Sequence, residues 1–68
     1  MKIDVTKVET VLATRGLSKT ELAKRSGIYP QNISAILRRG VCEPRTAGKL
    51  AAGLDVSVSE IIKEEGAE

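Results

Sequence analysis

The sequence predicts a small all-α protein, a compact domain of five helices that takes up residues 1–68 as one unit. Its length of 68 residues is enough for one hydrophobic core and too short for two. Apolar residues recur at helical spacing along the chain, whereas strand-like alternation is confined to "VSV" at residues 56–58. One tyrosine is the only aromatic residue, so the core has to be built from Leu, Ile, Val and Ala.

Capping and stop residues set the bounds of the first two helices. Asp4 is suited to cap the first helix, and Gly16 is suited to end it. The second helix opens with "SKTE", in which Ser18 and Glu21 can form a capping box. Gly27 follows this helix and can take the left-handed conformation of a tight turn. The predicted helices cover about residues 5–15, 19–26, 30–39, 45–53 and 58–65.

The last three helices follow from similar signals. The third begins at Pro30, which is tolerated in a first turn because that position needs no N–H donor, and it ends before Gly40. The fourth follows the loop "GVCEP" and has Leu50 on its inner side. "SVSE" offers a second capping box, Ser57 with Glu60, for the fifth helix. The terminal "EEGAE" is expected to fray.

The composition excludes most kinds of catalysis. Histidine is absent, and Cys42, the single cysteine, lies in a loop beside Glu43 with no base to activate it. We therefore expect no enzyme activity, no cofactor, no metal site and no small-molecule substrate. The chain shows no secretory signal and no run of about 18 apolar residues. These features predict a cytoplasmic protein without a membrane partner.

The charge is distributed unevenly along the chain. Residues 1–53 carry ten Lys/Arg and four Asp/Glu, a balance of +6, whereas residues 54–68 carry one and five, a balance of −4. Positive charge segregated in this way suits an anionic partner such as nucleic acid. An ordinary solvated surface with some asymmetry is the alternative interpretation.

Residues 18–39 have the pattern of two helices joined by a short turn. Such helices cross steeply, so the first needs a small inner residue and the turn needs unusual dihedral angles. Ala23 and Gly27 meet these needs, while Ile28, Ile33 and Ile36 can fix the second helix against the body. This is the arrangement of a helix-turn-helix, in which the second helix is held outward to enter a major groove.

The stretch "LSKTELAKRSGIYPQNISAILRRGVCEPRTAGKLAAGLDVSVSEII", residues 17–62, resembles the Cro and phage-repressor (XRE) family. The most specific parts are "LSKTELA", the spacing of Ala23, Gly27, Ile33 and Ile36, and "LAAGLDVSVSEII". The resemblance implies a lambda-repressor-like domain. It also implies sequence-specific binding of double-stranded DNA by a small transcriptional repressor or regulator, often as a homodimer.

The polar side of the third helix supplies the candidate contacts to bases. With Ile33 at 0° and about 100° per residue, Gln31, Ala35 and Arg38 fall at about 160°, about 200° and about 140°, opposite the apolar stripe. Gln and Arg can bond adenine and guanine edges, and Ala can contact a thymine methyl group. A merely solvated face is the alternative. The candidate base-reading residues are Gln31, Ala35, Arg38, Ser34 and Asn32.

The candidate contacts to the DNA backbone are Lys19, Tyr29, Arg39 and Arg45. Tyr29 could instead be half-buried at the edge of the core.

Two residues depart from the pattern of the family. Pro30 stands at the first helical position, often a polar base reader, and Lys19 stands where Gln is frequent. Leu12 and Leu37 replace an ion pair of several relatives, so we expect an apolar contact there.

Residues 40–45 and 54–65 form the predicted dimerisation region. We expect Val56 and Ile61 to close the core, which leaves Val58, Ile62 and Val41 as contacts between the two subunits of a dimer. Such a dimer would bind a pseudo-palindromic DNA site.

The competing function is a protein-interaction module on the same fold, an antitoxin or anti-repressor component with little DNA binding of its own. A single-strand or RNA binder is disfavoured because one tyrosine makes no stacking platform. The operator and the regulated genes do not follow from the sequence.

Overall fold

The structure is a computed structural model that describes residues 1–63. Its elements are α1 (Val5–Arg15), α2 (Lys19–Ser26), α3 (Pro30–Arg39), α4 (Pro44–Leu54) and a 3₁₀ turn (Val58–Glu60). Within the described range there is no other helix and no named strand, so the all-α class is confirmed. The first three helices have the bounds that the sequence predicted.

The predicted caps form at the first two helices. The carboxylate of Asp4 accepts the Lys7 N–H at 3.2 Å. At α2 the Ser18 hydroxyl accepts the Glu21 N–H at 3.1 Å, and the Glu21 carboxylate accepts the Ser18 N–H at 2.9 Å. This exchange is the capping box expected from "SKTE". Left-handed glycines, Gly16, Gly27 and Gly40, follow α1, α2 and α3.

The fourth helix, predicted at about residues 45–53, runs from Pro44 to Leu54 and so extends one residue further at each end. The left-handed cap is Asp55, with φ of 60°. Arg15 at the end of α1 donates to the Asp55 carbonyl oxygen at 3.3 Å, which ties α1 to the end of α4. Gly53 lies inside α4 and faces α2 at close range.

The prediction of a fifth α-helix over residues 58–65 is wrong in type and length. Ser57 and Glu60 do interact, because the Glu60 carboxylate accepts the Ser57 N–H at 3.3 Å. However, the turn that follows is a 3₁₀ turn of 3 residues. The helix does not continue because the Ile61 carbonyl oxygen accepts the Asp4 N–H at 2.8 Å, and Ile62 then pairs with Ile3. The predicted residues 64–65, and the predicted fraying of "EEGAE", lie outside the described residues.

An extended segment, residues 1–3, runs between two other parts of the chain and pairs with both. Lys2 forms an antiparallel bridge with Val41, and Ile3 forms one with Ile62. The Ile3 N–H donates to the Gly40 carbonyl oxygen at 2.8 Å. This pairing, which joins the residues after α3 to the residues after the 3₁₀ turn, was not predicted from the sequence.

One hydrophobic core lies between the helices. α2 packs more extensively on α4 than on α3. Ile61 is fully buried and Val56 packs against the core from a half-buried position, as expected. Leu12 and Leu37 also belong to this apolar cluster. Its buried members are Ile3, Val8, Leu12, Leu22, Ala23, Ile28, Ile33, Ile36, Leu37, Ala47, Leu50, Ala51, Leu54 and Ile61.

Candidate nucleic-acid interface

The turn between α2 and α3 has the geometry that the sequence predicted. Gly27 takes φ of 75° and ψ of 19°, a left-handed conformation that suits glycine. Its N–H donates to the Ala23 carbonyl oxygen at 2.9 Å. Ala23 and Ile28 are buried, so the turn is anchored on both sides. The direction in which α3 leaves the body is therefore set by buried contacts.

Ser26 is a feature of this turn that sequence analysis missed. It is the one buried polar residue among residues 1–63. Its hydroxyl donates to the Ala23 carbonyl oxygen at 3.4 Å and accepts the Ile28 N–H at 3.3 Å. The side chain thus satisfies a backbone donor in the turn that would otherwise be buried without a partner. A serine directly before a helix-ending glycine was the only signal available in the sequence.

The apolar side of α3 is buried and its polar side is exposed. Ile33 is fully buried, and Ile36 and Leu37 are buried beside it. Among the candidate DNA contacts on α3, five side chains are exposed: Gln31, Asn32, Ser34, Arg38 and Arg39. No described part of the chain covers this polar side, which is the condition for an approach to base edges.

Ala35 differs from the other candidates because it is half-buried. It lines a groove of about 450 Å³ between α3 and the segment that leads into α4. Asn32 and Arg39 line the same groove from α3, and Thr46 and Lys49 line it from α4. Gln31 and Ser34 are not part of this groove. The structure therefore divides the predicted base readers between two flanks of α3.

The start of α3 is exposed and is not capped by a side chain from residues 1–63. Tyr29 occupies the N-cap position, and its carbonyl oxygen accepts the Asn32 N–H at 2.9 Å and the Ile33 N–H at 3.1 Å. The Tyr29 side chain is 72% exposed. The alternative that it belongs to the core edge is therefore wrong.

The other candidate phosphate contacts lie near helix starts. Lys19 is the first residue of α2 and Arg45 the second residue of α4, and both side chains are exposed.

The Glu21 side chain, near Lys19 in the first turn of α2, takes part in the capping box. The Ser18 N–H and, secondarily, the Ser18 hydroxyl lower the pKa of the Glu21 carboxyl below its ordinary value. Glu21 thus stays ionised as part of the cap at neutral pH.

A second depression, of about 390 Å³, lies at the C-terminal end of α3. Arg38 and Arg39 line it together with Lys2 and Lys63. Lys2 and Lys63 come together with these residues only through the pairing of residues 1–3. No local pattern in the sequence could have indicated this cluster.

The three residues predicted for dimerisation lie in different surroundings. Val41 is 45% exposed, and its backbone follows the exit of α3. Val58 and Ile62 are half-buried and pack against the core. The main chain of Ile62 is bridged to Ile3 within the same molecule. Their roles in dimerisation stay predictions.

The described residues hold no group of three side chains that could bind a metal ion. Burial raises the pKa of the half-buried Cys42 thiol; the N-terminal ammonium group partly opposes this effect, and the neighbouring Glu43 carboxylate adds to it. A thiol with a raised pKa is a weak nucleophile at neutral pH. In residues 1–63 no helix has the length and apolar character that a membrane crossing requires.

Two short helices joined by a left-handed glycine, with the second helix exposing a polar side beside basic residues, define a helix-turn-helix protein. The model of the Cro/C1-type HTH DNA-binding domain family matches residues 7–65. The chain belongs to this family, which confirms the resemblance seen in the sequence. Comparisons with curated proteins and with solved structures give no match. As a member of this family, the chain is a DNA-binding regulator whose partner is double-stranded DNA.

Proposed function

We propose that this protein is a small transcriptional repressor or regulator of the phage type that inserts α3 into the major groove of a specific site. The proposal rests on the contrast between the buried side and the exposed side of α3. Ile33 is fully buried on one side, while Gln31 and Arg38 are exposed on the other. A helix that is anchored on one side and open along the other can approach base edges without rearrangement.

Gln31, Ser34 and Arg38 are the central base-reading candidates because none of them lines the groove beside α4. Gln31 can bond the N6 and N7 atoms of one adenine together, and Arg38 can bond a guanine. Asn32 and the half-buried Ala35 lie toward the groove beside α4. They would meet bases or sugars at the edge of the contact, and Ala35 can offer a thymine methyl group only a small apolar surface.

Contacts to the phosphates would position the protein on the duplex. Lys19 stands at the start of α2, Tyr29 at the start of α3 and Arg45 at the start of α4, while Arg39 stands at the end of α3. Each phosphate that a subunit neutralises adds about −0.9 to the slope of log affinity against log salt concentration. These contacts set the orientation of α3 and carry no sequence information of their own.

The protein binds this site as a homodimer in our proposal. Val41 is the most exposed apolar side chain of the predicted dimer region, and Val58 and Ile62 lie at the surface of the core. A two-fold dimer would present two reading helices about 34 Å apart to a pseudo-palindromic site. The function requires no catalysis and no cofactor, and it is carried out where the cell holds its DNA, in the cytoplasm.

Selection of bound duplexes from a random pool, followed by affinity measurements with two variants, tests the proposal. On the selected duplex, Gln31→Ala should weaken binding by about 1 to 3 kcal/mol and relax the preference at one base pair. Lys19→Ala should weaken all duplexes to a similar degree. Lys7→Ala, at an exposed position of α1, is the matched control.

A wild-type protein that enriches no duplex would contradict the proposed function. Tight binding to a protein partner in that case would favour the interaction-module alternative, for which Pro30 is the relevant departure from the family pattern. Sedimentation of the wild-type protein, alone and with the selected duplex, checks the dimer. A monomer at all concentrations, with one subunit on each duplex, would show that the dimer is wrong.

A further inference from the structure

We propose that an apolar surface at the start of α3 recognises the C5-methyl group of a thymine in the duplex that α3 reads. We call this surface, formed by Ala23, Ile28, Tyr29 and Pro30, the apolar patch. These residues line a depression of about 410 Å³ between α2 and the start of α3. The inference rests on the proposed function and extends it, since it assigns a base contact to Pro30. Thr20, Lys24 and Gly27 complete the lining of the depression.

The apolar patch joins two buried side chains to two exposed ones. Ala23 is 6% exposed and Ile28 is 8% exposed, so both are held in place by the core. Pro30 is exposed, and Tyr29 is the most exposed of the large apolar side chains in residues 1–63. The turn between the two helices fixes these residues relative to one another. A preformed apolar surface of this kind can accept a small apolar group without rearrangement.

Pro30 lies in line with two of the candidate base readers. Residues that are four positions apart share one side of a helix, so Pro30, Ser34 and Arg38 form one row along α3. All three side chains are exposed. The N-terminal residues of a recognition helix are the ones that approach base edges in the major groove. Pro30 therefore reaches the same groove as the rest of the row.

The chemistry of Pro30 restricts what it can recognise there. Its ring carries no hydrogen-bond donor and no acceptor, and its backbone nitrogen has no hydrogen. The base edges in the major groove present donors, acceptors and one apolar group, the C5-methyl group of thymine. A base contact of Pro30 that discriminates between sequences is therefore a contact to this methyl group.

Tyr29 adds apolar area beside Pro30. It occupies the N-cap position of α3 without a side-chain hydrogen bond, although Ser, Thr, Asp and Asn are preferred there. The stability of the helix therefore does not explain a tyrosine at this position. An aromatic ring that covers a methyl group does explain it. The hydroxyl at the far end of the ring stays free for the phosphate contact proposed above.

Replacing thymine by deoxyuridine in the DNA tests the contact. Deoxyuridine lacks the C5-methyl group and pairs with adenine in the same way. The affinity of the wild-type protein is measured for the selected duplex with each thymine replaced in turn. At one thymine for each bound subunit, we expect the replacement to weaken binding about 4-fold, the effect of removing one buried methyl group. In Pro30→Ser, the difference between thymine and deoxyuridine at that position should disappear.

The matched control is Pro44→Ser. Pro44 is the first residue of α4, as Pro30 is of α3, and it does not line the depression. Pro44→Ser should therefore keep the wild-type preference for thymine. Tyr29→Phe should also keep this preference, whereas Tyr29→Ala should reduce it. A circular dichroism melt of each variant shows whether the fold is retained.

Several outcomes would overturn the methyl contact and leave the proposed function standing. They are a wild-type protein that binds the selected duplex equally well with every thymine replaced, and a preference for thymine that persists in Pro30→Ser. An equal effect of Pro44→Ser and Pro30→Ser is a third. A preference that disappears in Ala35→Ser and not in Pro30→Ser would assign the methyl group to Ala35. A wild-type protein that binds no duplex overturns both proposals.

Discussion

Gly53 of α4 lies so close to Ser26 of α2 that a β-carbon at position 53 would be 2.9 Å from the Ser26 Cβ. The same atom would be 3.1 Å from the Ser26 Cα and 3.1 Å from a methyl carbon of Leu22. Contacts this short are not compatible with a side chain, because a backbone atom is among the neighbours. The absence of a side chain at Gly53 therefore sets how closely α2 approaches α4. Since α2 carries the turn that orients α3, this contact also bears on the DNA-binding surface.

We predict that Gly53→Ala lowers the free energy of unfolding by about 1 to 3 kcal/mol. Alanine favours a helix more than glycine does, by about 1 kcal/mol, but the added methyl group forces α2 and α4 apart. Gly48→Ala is the matched control in the same helix, because a β-carbon there meets nothing within 4 Å. This second variant should be more stable than the wild type by up to about 1 kcal/mol. Urea unfolding measures both, and equal effects of the two substitutions would contradict the prediction.

Ser26→Ala is expected to destabilise the turn without disturbing its packing. The β-carbon stays in place, but the buried Ile28 N–H loses the hydroxyl that accepts it at 3.3 Å. An unsatisfied buried donor costs about 1 to 3 kcal/mol. Urea unfolding measures the total loss in the free energy of unfolding, and amide hydrogen exchange at Ile28 shows whether the turn is the part that is destabilised. The Gly27 N–H, bonded to the Ala23 carbonyl oxygen, is the internal control. Unchanged exchange at Ile28 would show that the Ser26 hydroxyl is not its partner.

Local signals in the sequence predicted the helices because caps and apolar spacing act over a few residues. Ser18 with Glu21 forms the predicted capping box, and Gly27 takes the predicted left-handed conformation. The spacing of Ile33 and Leu37 also placed the buried side of α3 correctly. Each of these features depends on neighbours within one or two helical turns, which a single sequence contains.

The features that the sequence did not predict depend on contacts between distant segments. The sequence placed Gly53 at the end of the fourth helix and gave it no packing role. Its actual role depends on Ser26, far away along the chain. The pairing of Ile3 with Ile62 replaces the predicted fifth helix and brings residues 2 and 63 together. A bridge of single residues has no periodicity from which it could have been inferred.

The capping box makes the stability of the protein dependent on pH through Glu21. Because the Ser18 N–H and hydroxyl lower the pKa of the Glu21 carboxyl, its ionised form favours the folded state. This contribution is present above the ordinary value of 4.5 and is lost as the pH falls through the lower pKa of the folded state. We therefore predict that Glu21→Gln reduces the loss of stability between neutral pH and acid pH. Urea midpoints at several pH values measure this effect, with Glu9→Gln, at an exposed position of α1, as the control. The same acid dependence in Glu21→Gln and wild type would contradict it.

The pairing of residues 1–3 should open as a local unit when its anchor is weakened. Ile3 is 3% exposed, so Ile3→Val, which removes one methylene group, should cost about 0.5 to 1.5 kcal/mol and leave the protein folded. The N–H groups of Cys42 and Lys63 donate to the Met1 and Lys2 carbonyl oxygens, each at 3.0 Å, and both bonds depend on this segment. Their amide hydrogen exchange should accelerate more than that of Leu22, which lies within α2. Equal acceleration at all three amides would show that the segment opens only when the whole domain unfolds.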